Sequence, residues 1–223
     1  MTAREADYLR ALRFGWLTRF YDPLIRLGLR EDTFKRLLLE QVPVDGTGRV
    51  LDLGCGTGTL TIMLKRQLPH ALVVGLDADA EVLSIAAKKA AQAGVDIEFR
   101  QGLAFEPLFP PGSFDGVVSS LFFHHLTTAD KRRTLRAVHD LLRPGGTLHV
   151  ADWGRPHTAL MRLAFMAVRM LDGFERTADS AYGRLPALMK EAGLAPATET
   201  GRVVTCLGTL SLSRATKPPA SVA

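Results

Sequence analysis

Ten residues, Arg49 to Gly58, restrict this chain more than any others. They read R-V-L-D-L-G-C-G-T-G: an apolar run with Val50, Leu51 and Leu53, then glycines at every second position, Gly54, Gly56 and Gly58. An amphipathic run, Leu60 to Leu64, follows at once. The pattern is a strand, a tight turn and the start of a helix. Glycine adopts backbone angles that other residues resist, and its missing side chain lets a ligand lie against the main chain. Asp52 sits inside the apolar run, where a carboxylate is costly unless something pairs with it. The next apolar run, Leu72 to Leu76, ends in Asp77, 23 residues after Gly54. A βαβ unit places an acid there, at the tip of its second strand, in reach of a ribose's hydroxyls.

Strands and helices alternate through the rest of the chain. Ala80–Ala93 is an alanine-rich helix closed by Gly94. Residues 97–100 read as a short third strand and 113–120 as a fourth. A helix over 131–142 stops at Arg143-Pro144-Gly145-Gly146, and 147–151 is the fifth strand. A last helix over 184–192 ends at Gly193, and 198–206 with 209–215 form a hairpin through Gly208. The order predicts an α/β fold: a Rossmann-like three-layer sandwich with a mostly parallel seven-stranded sheet and a C-terminal antiparallel hairpin. A length of 223 residues suits one such domain.

The spacing G-x-G-x-G, with an acid two residues before the first glycine, differs from the dinucleotide fingerprint. It resembles the nucleoside-binding loop of class I S-adenosylmethionine (SAM) dependent methyltransferases. The resemblance covers about residues 45–153 and includes F-D-G-V at Phe114–Val117 and L-R-P-G-G-T-L before the fifth strand. It is nearest to the small-molecule group that includes the ubiquinone and menaquinone C-methyltransferases. It implies SAM as cofactor and a methyltransferase activity. It also implies cofactor contacts at Asp52, Gly54, Gly56, Gly58, Asp77, Ala78, Leu103, Ala104 and Ser119. Where the family often carries an aspartate that bonds the adenine amino group, this chain has Leu103, so adenine would be read by backbone and apolar contact. Tyr21, in Phe20-Tyr21-Asp22, matches a tyrosine that closes over the cofactor in the quinone-methylating group.

Leu9, Leu12, Trp16, Leu17 and Phe20 recur at helical spacing among arginines. Residues 1–44 are expected to form helices that pack over the sheet's edge, as such faces usually do; the alternative, compatible with it, is a lid over the cofactor whose basic, aromatic face could touch a membrane surface. Asp22-Pro23 breaks the pattern, and Asp32 is expected to cap a further helix. Residues 45–216 form the core, 217–223 a loose tail. Within the core, about 155–180 is an apolar insertion, with Leu160, Leu163, Phe165, Met166, Met170 and Leu171. A helix apolar on most sides is expected to be buried; the alternative is an adaptable cover over a substrate. His124 and His125 leave the fourth strand at its C-terminal end, where open α/β sheets bind ligands, and are the candidate catalytic bases. Asp115 reads as structural. Asp152 and Trp153, at the end of the fifth strand, could line the acceptor pocket.

Apolar residues make up 47% of the chain and charged ones 23%, an ordinary globular balance. The net charge of +5 comes from scattered arginines, with no dense basic and aromatic cluster, so a nucleic-acid partner is not expected. Cys55 and Cys206 make no disulfide framework and no metal-ligand spacing, so no metal is expected. The first residues lack a signal peptide's apolar core, and a cytoplasmic location is expected. The small-molecule acceptor expected is apolar or aromatic: a quinone, phenol, polyketide or lipid-like compound. The rivals are a SAM-binding regulator without turnover and a nucleotide-dependent oxidoreductase, whose fingerprint fits worse. An RNA methyltransferase rests on the basic pI alone.

Overall fold

A computed structural model of the chain describes residues 30–42, 47–106 and 108–219. Seven strands form one sheet: β1 (Arg49–Leu53), β2 (Leu72–Asp77), β3 (Glu98–Gln101), β4 (Phe114–Ser120), β5 (Leu142–Trp153), β6 (Ala197–Thr205) and β7 (Gly208–Thr216). Their order is β3-β2-β1-β4-β5-β7-β6. The first five run parallel, and β7 lies antiparallel between β5 and β6. The helices are α1 (Glu31–Leu39), α2 (Thr59–Gln67), α3 (Ala80–Gln92), α4 (Thr128–Leu141), α5 (Ala159–Asp172), α6 (Ala178–Tyr182) and α7 (Leu185–Glu191). A single 3-10 turn, Phe123–His125, follows β4.

Parallel strands covered on both faces must be apolar on both, and β1 and β4 are. The period of two sends Leu51 and Leu53 into one core, with Val117, Phe123, Leu135, Leu148 and Met189. Val50 goes to the opposite core, with Phe34, Leu38, Leu60, Val118 and Phe165. Asp52 shares the face of Val50 and so lies under α2. The chain runs outward from β1 to β3, then returns to β4 on the other side of β1. That reversal opens a crevice beyond the C-terminal ends of β1 and β4, where sheets of this type bind ligands.

Several boundaries differ from the sequence reading for local reasons. α1 begins one residue before Asp32. Arg30 turns the chain with a left-handed φ of 54° and no side chain caps the end; Glu31 and Asp32 sit in the first turn, where acids suit the helix dipole. α4 begins at Thr128, because the Thr127 hydroxyl accepts from the Asp130 amide (3.2 Å) as its cap. β5 takes in Arg143–Gly146. There the Lys217 amide donates to the Gly146 carbonyl (2.8 Å) and the Gly145 amide to that of Lys217 (2.9 Å). Lys217 also donates through Nζ to the Leu142 carbonyl (2.8 Å), so it is a fixed end of the sheet and not the start of a loose tail.

The largest departure is α5. Leu160, Leu163, Met170 and Leu171 are each about 70% exposed, while only Phe165 and Val168 are buried. The expectation of a buried helix is wrong: a helix laid over the end of a sheet can bury one stripe, however apolar its other faces. α1 packs Phe34, Leu38 and Leu39 into the core. The rest of the expected lid, with Tyr21 and the face assigned to a membrane, lies outside the described residues.

Candidate functional site

The three glycines after β1 have left-handed φ values of 69°, 51° and 76° and do different work. A Cβ on Gly54 would lie 2.3 Å from Cδ2 of Phe122, so this glycine makes room for an aromatic ring rather than a ligand. A Cβ on Gly58 would lie 2.8 Å from that of Ala86, so it lets α2 approach α3. Above Gly56 nothing stands within 4 Å. Gly56 is therefore the backbone position open to a ligand. Its amide donates to Asp77 Oδ2 (2.9 Å), and the Asp79 amide donates to Asp77 Oδ1 (3.0 Å). These bonds clamp the Asp77 carboxylate beside the loop, with lone pairs left for further donors. Burial holds Asp77 above the usual carboxylate range, although the two amides pull it down.

Asp52 is buried. Thr61, one turn into α2, donates to its Oδ2 (2.6 Å), and Oδ1 has no partner. Desolvation pushes its pKa up to about 6; the Thr61 hydroxyl and the Lys35 ammonium on α1 oppose that shift. Two carboxylates at one glycine loop, one with an orphaned buried oxygen, fit a cationic ligand that carries a ribose. SAM is such a ligand. The native state keeps a proton on Asp52 that the unfolded chain has lost between about pH 4 and 6, so stability falls as pH rises through that window. The linkage is worth about 3 kcal/mol. Asp52→Asn, which keeps an acceptor for Thr61, is expected to melt higher than the wild type above pH 6, with the gap closing toward pH 4. Parallel thermal melts check this, and a gap independent of pH would contradict it.

Ala78 and Ala104 are buried, and Leu103 is partly exposed. Gln101 donates through Nε2 to the Ala78 carbonyl (3.1 Å), and the Gly102 amide donates to that of Asp77 (2.9 Å), which ties this loop to the tip of β2. The Ser119 hydroxyl donates to the Leu53 carbonyl (2.8 Å), so its side chain joins β4 to β1 and only its backbone can face a ligand. Cys55 is buried and its thiol is pushed up by burial and by the neighbouring carboxylates, as an inert packing residue should be. Asp115 accepts from the Arg49 amide (2.5 Å) and from Arg143 Nη1 (2.5 Å), the structural role expected of it.

A second constellation stands at the tips of β4 and β5. Leu121 leaves β4 with a left-handed φ of 52°, uncommon for a branched residue, and this bend precedes the Phe123–His125 turn. Asp152 receives the His124 amide (3.2 Å) and the Trp153 amide (2.7 Å). The His124 ring donates from Nδ1 to Asp152 Oδ1 (2.7 Å). Its Nε2 lies 3.8 Å from Asp172, whose other oxygen is 3.6 Å from His125 Nδ1. Burial pushes His124 down, but the two carboxylates more than offset it and its pKa is raised. Burial and the His124 ring hold His125 well below the usual histidine range, hence neutral. Burial also raises Asp172.

The sequence reading places the histidines and Asp152 here but gives His124 no orienting partner and omits Asp172. A signal was present. Asp172 is the single acid of α5 and its last residue, where the helix dipole disfavours an anion. Beside this cluster Trp153 meets the His124 ring on one side (centroids 6.4 Å) and Phe165 on the other (5.5 Å). Phe165 lines a cleft of about 510 Å³ with Met166, Tyr182, Arg155, Arg162 and Arg169. Its size suits a small molecule, and its walls are apolar and cationic.

Residues 50–146 match the family model described as a methyltransferase domain. The chain is similar to the demethylmenaquinone methyltransferase of Thermus thermophilus, 36% identical over 129 residues, which are 58% of this chain and 56% of that protein. It therefore spans little more than half of that relative's length. Among solved structures it resembles the SAM-dependent methyltransferase SibL in its apo form, at 22% identity and a TM-score of 0.69, over 97% of this chain and 70% of that one. It also resembles the YcgJ protein of Bacillus subtilis, at 18% identity and a TM-score of 0.68, over 83% of this chain and 98% of that one. At these identities the two structures show a common fold.

Proposed function

We propose that the chain is a class I SAM-dependent methyltransferase and that it transfers the methyl group of SAM to a small, largely apolar acceptor of the phenol or quinol type. SAM brings an activated methyl on a sulfonium leaving group. The protein's part is placement: donor and acceptor close and in line, with somewhere for the acceptor's proton to go. Asp77 is proposed to accept from the ribose hydroxyls, and Gly56 to admit the ligand to the backbone. Asp52 faces the cationic end. Gly54 and Gly58 shape the loop. Ala78, Leu103 and Ala104 border the base, and the backbone at Ser119 borders the sulfonium side. His124 and His125 are proposed to face the acceptor's reacting end.

The observation that carries the acceptor class is the cleft beside α5. Phe165, Met166 and Tyr182 offer apolar surface, and three arginines favour an acceptor whose oxygen is partly or wholly anionic. The activity named for the Thermus relative, on a demethylated menaquinone, supports a quinone-like acceptor. Among the described residues no helix is long and apolar enough to cross a membrane; we propose that the protein acts in the cytoplasm. Transfer from methyl-labelled SAM to a panel of quinols, phenols and polar amines or acids tests the reading. Turnover is expected on the apolar aromatic members and is expected to weaken in Met166→Glu, which puts a charge on the cleft wall. Transfer to the polar members alone would overturn the acceptor class.

A further inference from the structure

We propose that His124 Nε2, His125 Nδ1 and the Asp172 carboxylate form a binding site for a divalent transition-metal ion of the Zn2+, Fe2+ or Co2+ type. Their ligand atoms all lie within 4.8 Å of one another. Asp172 Oδ2 stands 3.8 Å from His124 Nε2, and its Oδ1 stands 3.6 Å from His125 Nδ1. An ion bonded at about 2 Å to each of three donors sets those donors about 3–4 Å apart, so small side-chain movements close the cluster on an ion. Two imidazoles and one carboxylate make a borderline donor set, which suits first-row transition metals better than Mg2+ or Ca2+.

The surroundings are those of a metal site. Asp152 takes the Nδ1 proton of His124 at 2.7 Å, which fixes the tautomer and presents the Nε2 lone pair to Asp172. A carboxylate behind a histidine in this way is the usual outer partner of a metal-bound imidazole. Asp152 is itself held by the Trp153 amide (2.7 Å), so the support is rigid. Charge points the same way. Two carboxylates flank the two imidazoles and attract a cation; of the nearby cations, Lys131 is paired with Asp179, and Arg176 acts on His125 and Asp172 from outside the cluster. Asp172 ends α5, where its charge is opposed by the helix dipole; a bound cation removes that penalty. Three protein ligands leave positions open toward solvent, since His125 and Asp172 are about a quarter exposed (28% and 23%). Along the chain these residues show no metal-ligand spacing, because Asp172 reaches the histidines only through the packing of α5.

Metal binding stands apart from methyl transfer. One consequence rests on the acceptor reading: the open positions would take the acceptor's oxygen, and the histidines would act as ligands in place of free bases. The full chain, stripped with chelator, is titrated with Zn2+ by calorimetry and with Co2+ by visible absorption. One equivalent is expected, with the Co2+ bands of a low-symmetry site. His125→Ala and Asp172→Asn, both at partly exposed positions, are expected to weaken binding by at least ~100-fold while melting near the wild-type temperature. Asp152→Asn, a positioning change, is expected to cost about 10- to 100-fold. Absence of stoichiometric Zn2+ binding, or binding that survives both ligand replacements, overturns the site. A chain that binds SAM but no Zn2+ refutes this inference and leaves methyl transfer standing. One that binds Zn2+ yet transfers no methyl group does the reverse.

Discussion

Asp77→Ala is expected to abolish SAM binding, weakening it by about a thousand-fold or more. The carboxylate is anchored by the Gly56 and Asp79 amides and partly withdrawn from water. Two ribose hydroxyls donating to it would each form a charge-assisted bond worth about 1.5–3 kcal/mol. Removing the carboxylate also frees the Gly56 amide, which then no longer holds the loop in its open shape. Asp77→Asn keeps an acceptor oxygen and loses the charge, so it should fall between the two. Calorimetric titration with SAM and with S-adenosylhomocysteine measures both. An alanine variant that binds within a few-fold of the wild type would remove Asp77 from the site; the neighbouring Asp79 carboxylate is engaged as the cap of α3, accepting from the Glu81 amide (2.8 Å).

The second large effect is on stability. Lys131 and Asp179 are almost fully buried (1% and 3% exposed) and pair at 3.0 Å. Lys131 also donates to the Arg176 carbonyl (2.6 Å), and the Thr128 hydroxyl donates to Asp179 (2.7 Å). The pair ties α4 to α6, and the Arg176 carbonyl ties it to the segment that joins α5 to α6, which holds Asp172 near the histidines. Lys131→Ala leaves a buried carboxylate with only the Thr128 hydroxyl and the distant, exposed Arg184 guanidinium (4.0 Å) beside it, and is expected to cost about 3 kcal/mol. The double replacement Lys131→Met with Asp179→Leu removes both charges. It should be far less harmful than the single change, although the Thr128 hydroxyl then loses its acceptor. Urea unfolding of the three proteins decides it. A double variant as unstable as the single one would mean that packing, not charge, dominates there.

Much of the cofactor half of the site is legible along the chain. The loop and both of its acids lie within one βαβ unit, Arg49 to Asp77, and spacing there is dictated by local geometry. A strand ends, a turn needs positive φ, a helix begins, and the next strand's tip returns to the same edge. The same logic makes the helix–strand alternation a guide to the sheet. Locality also limits what can be read: the three glycines look equivalent in sequence. Phe122, which comes from beyond β4, and Ala86, from α3, give two of them packing duties and leave only Gly56 open. Asp52 is visibly costly in the sequence, but its orphaned oxygen and the Thr61 bond depend on how α2 lies over β1.

The acceptor half is different in kind. His124 and His125 stand out by position, yet what they can do depends on Asp152 from β5 and Asp172 from α5. No short-range pattern links them. Whether an apolar helix is buried is likewise not a property of its own residues: α5 has the composition of a core helix and exposes most of it, since only one stripe meets Trp153 and the sheet. The amino-acid sequence by itself determined the strand–turn–helix, the acid at the second tip and the alternating layers, because these follow from periodicity and from backbone freedom within a few residues. Tertiary structure alone decided which glycine faces a ligand, which carboxylate lacks a partner and which side chains surround the histidines. Those depend on contacts between segments far apart in the chain, set by how a twisted sheet and its helices close on one another.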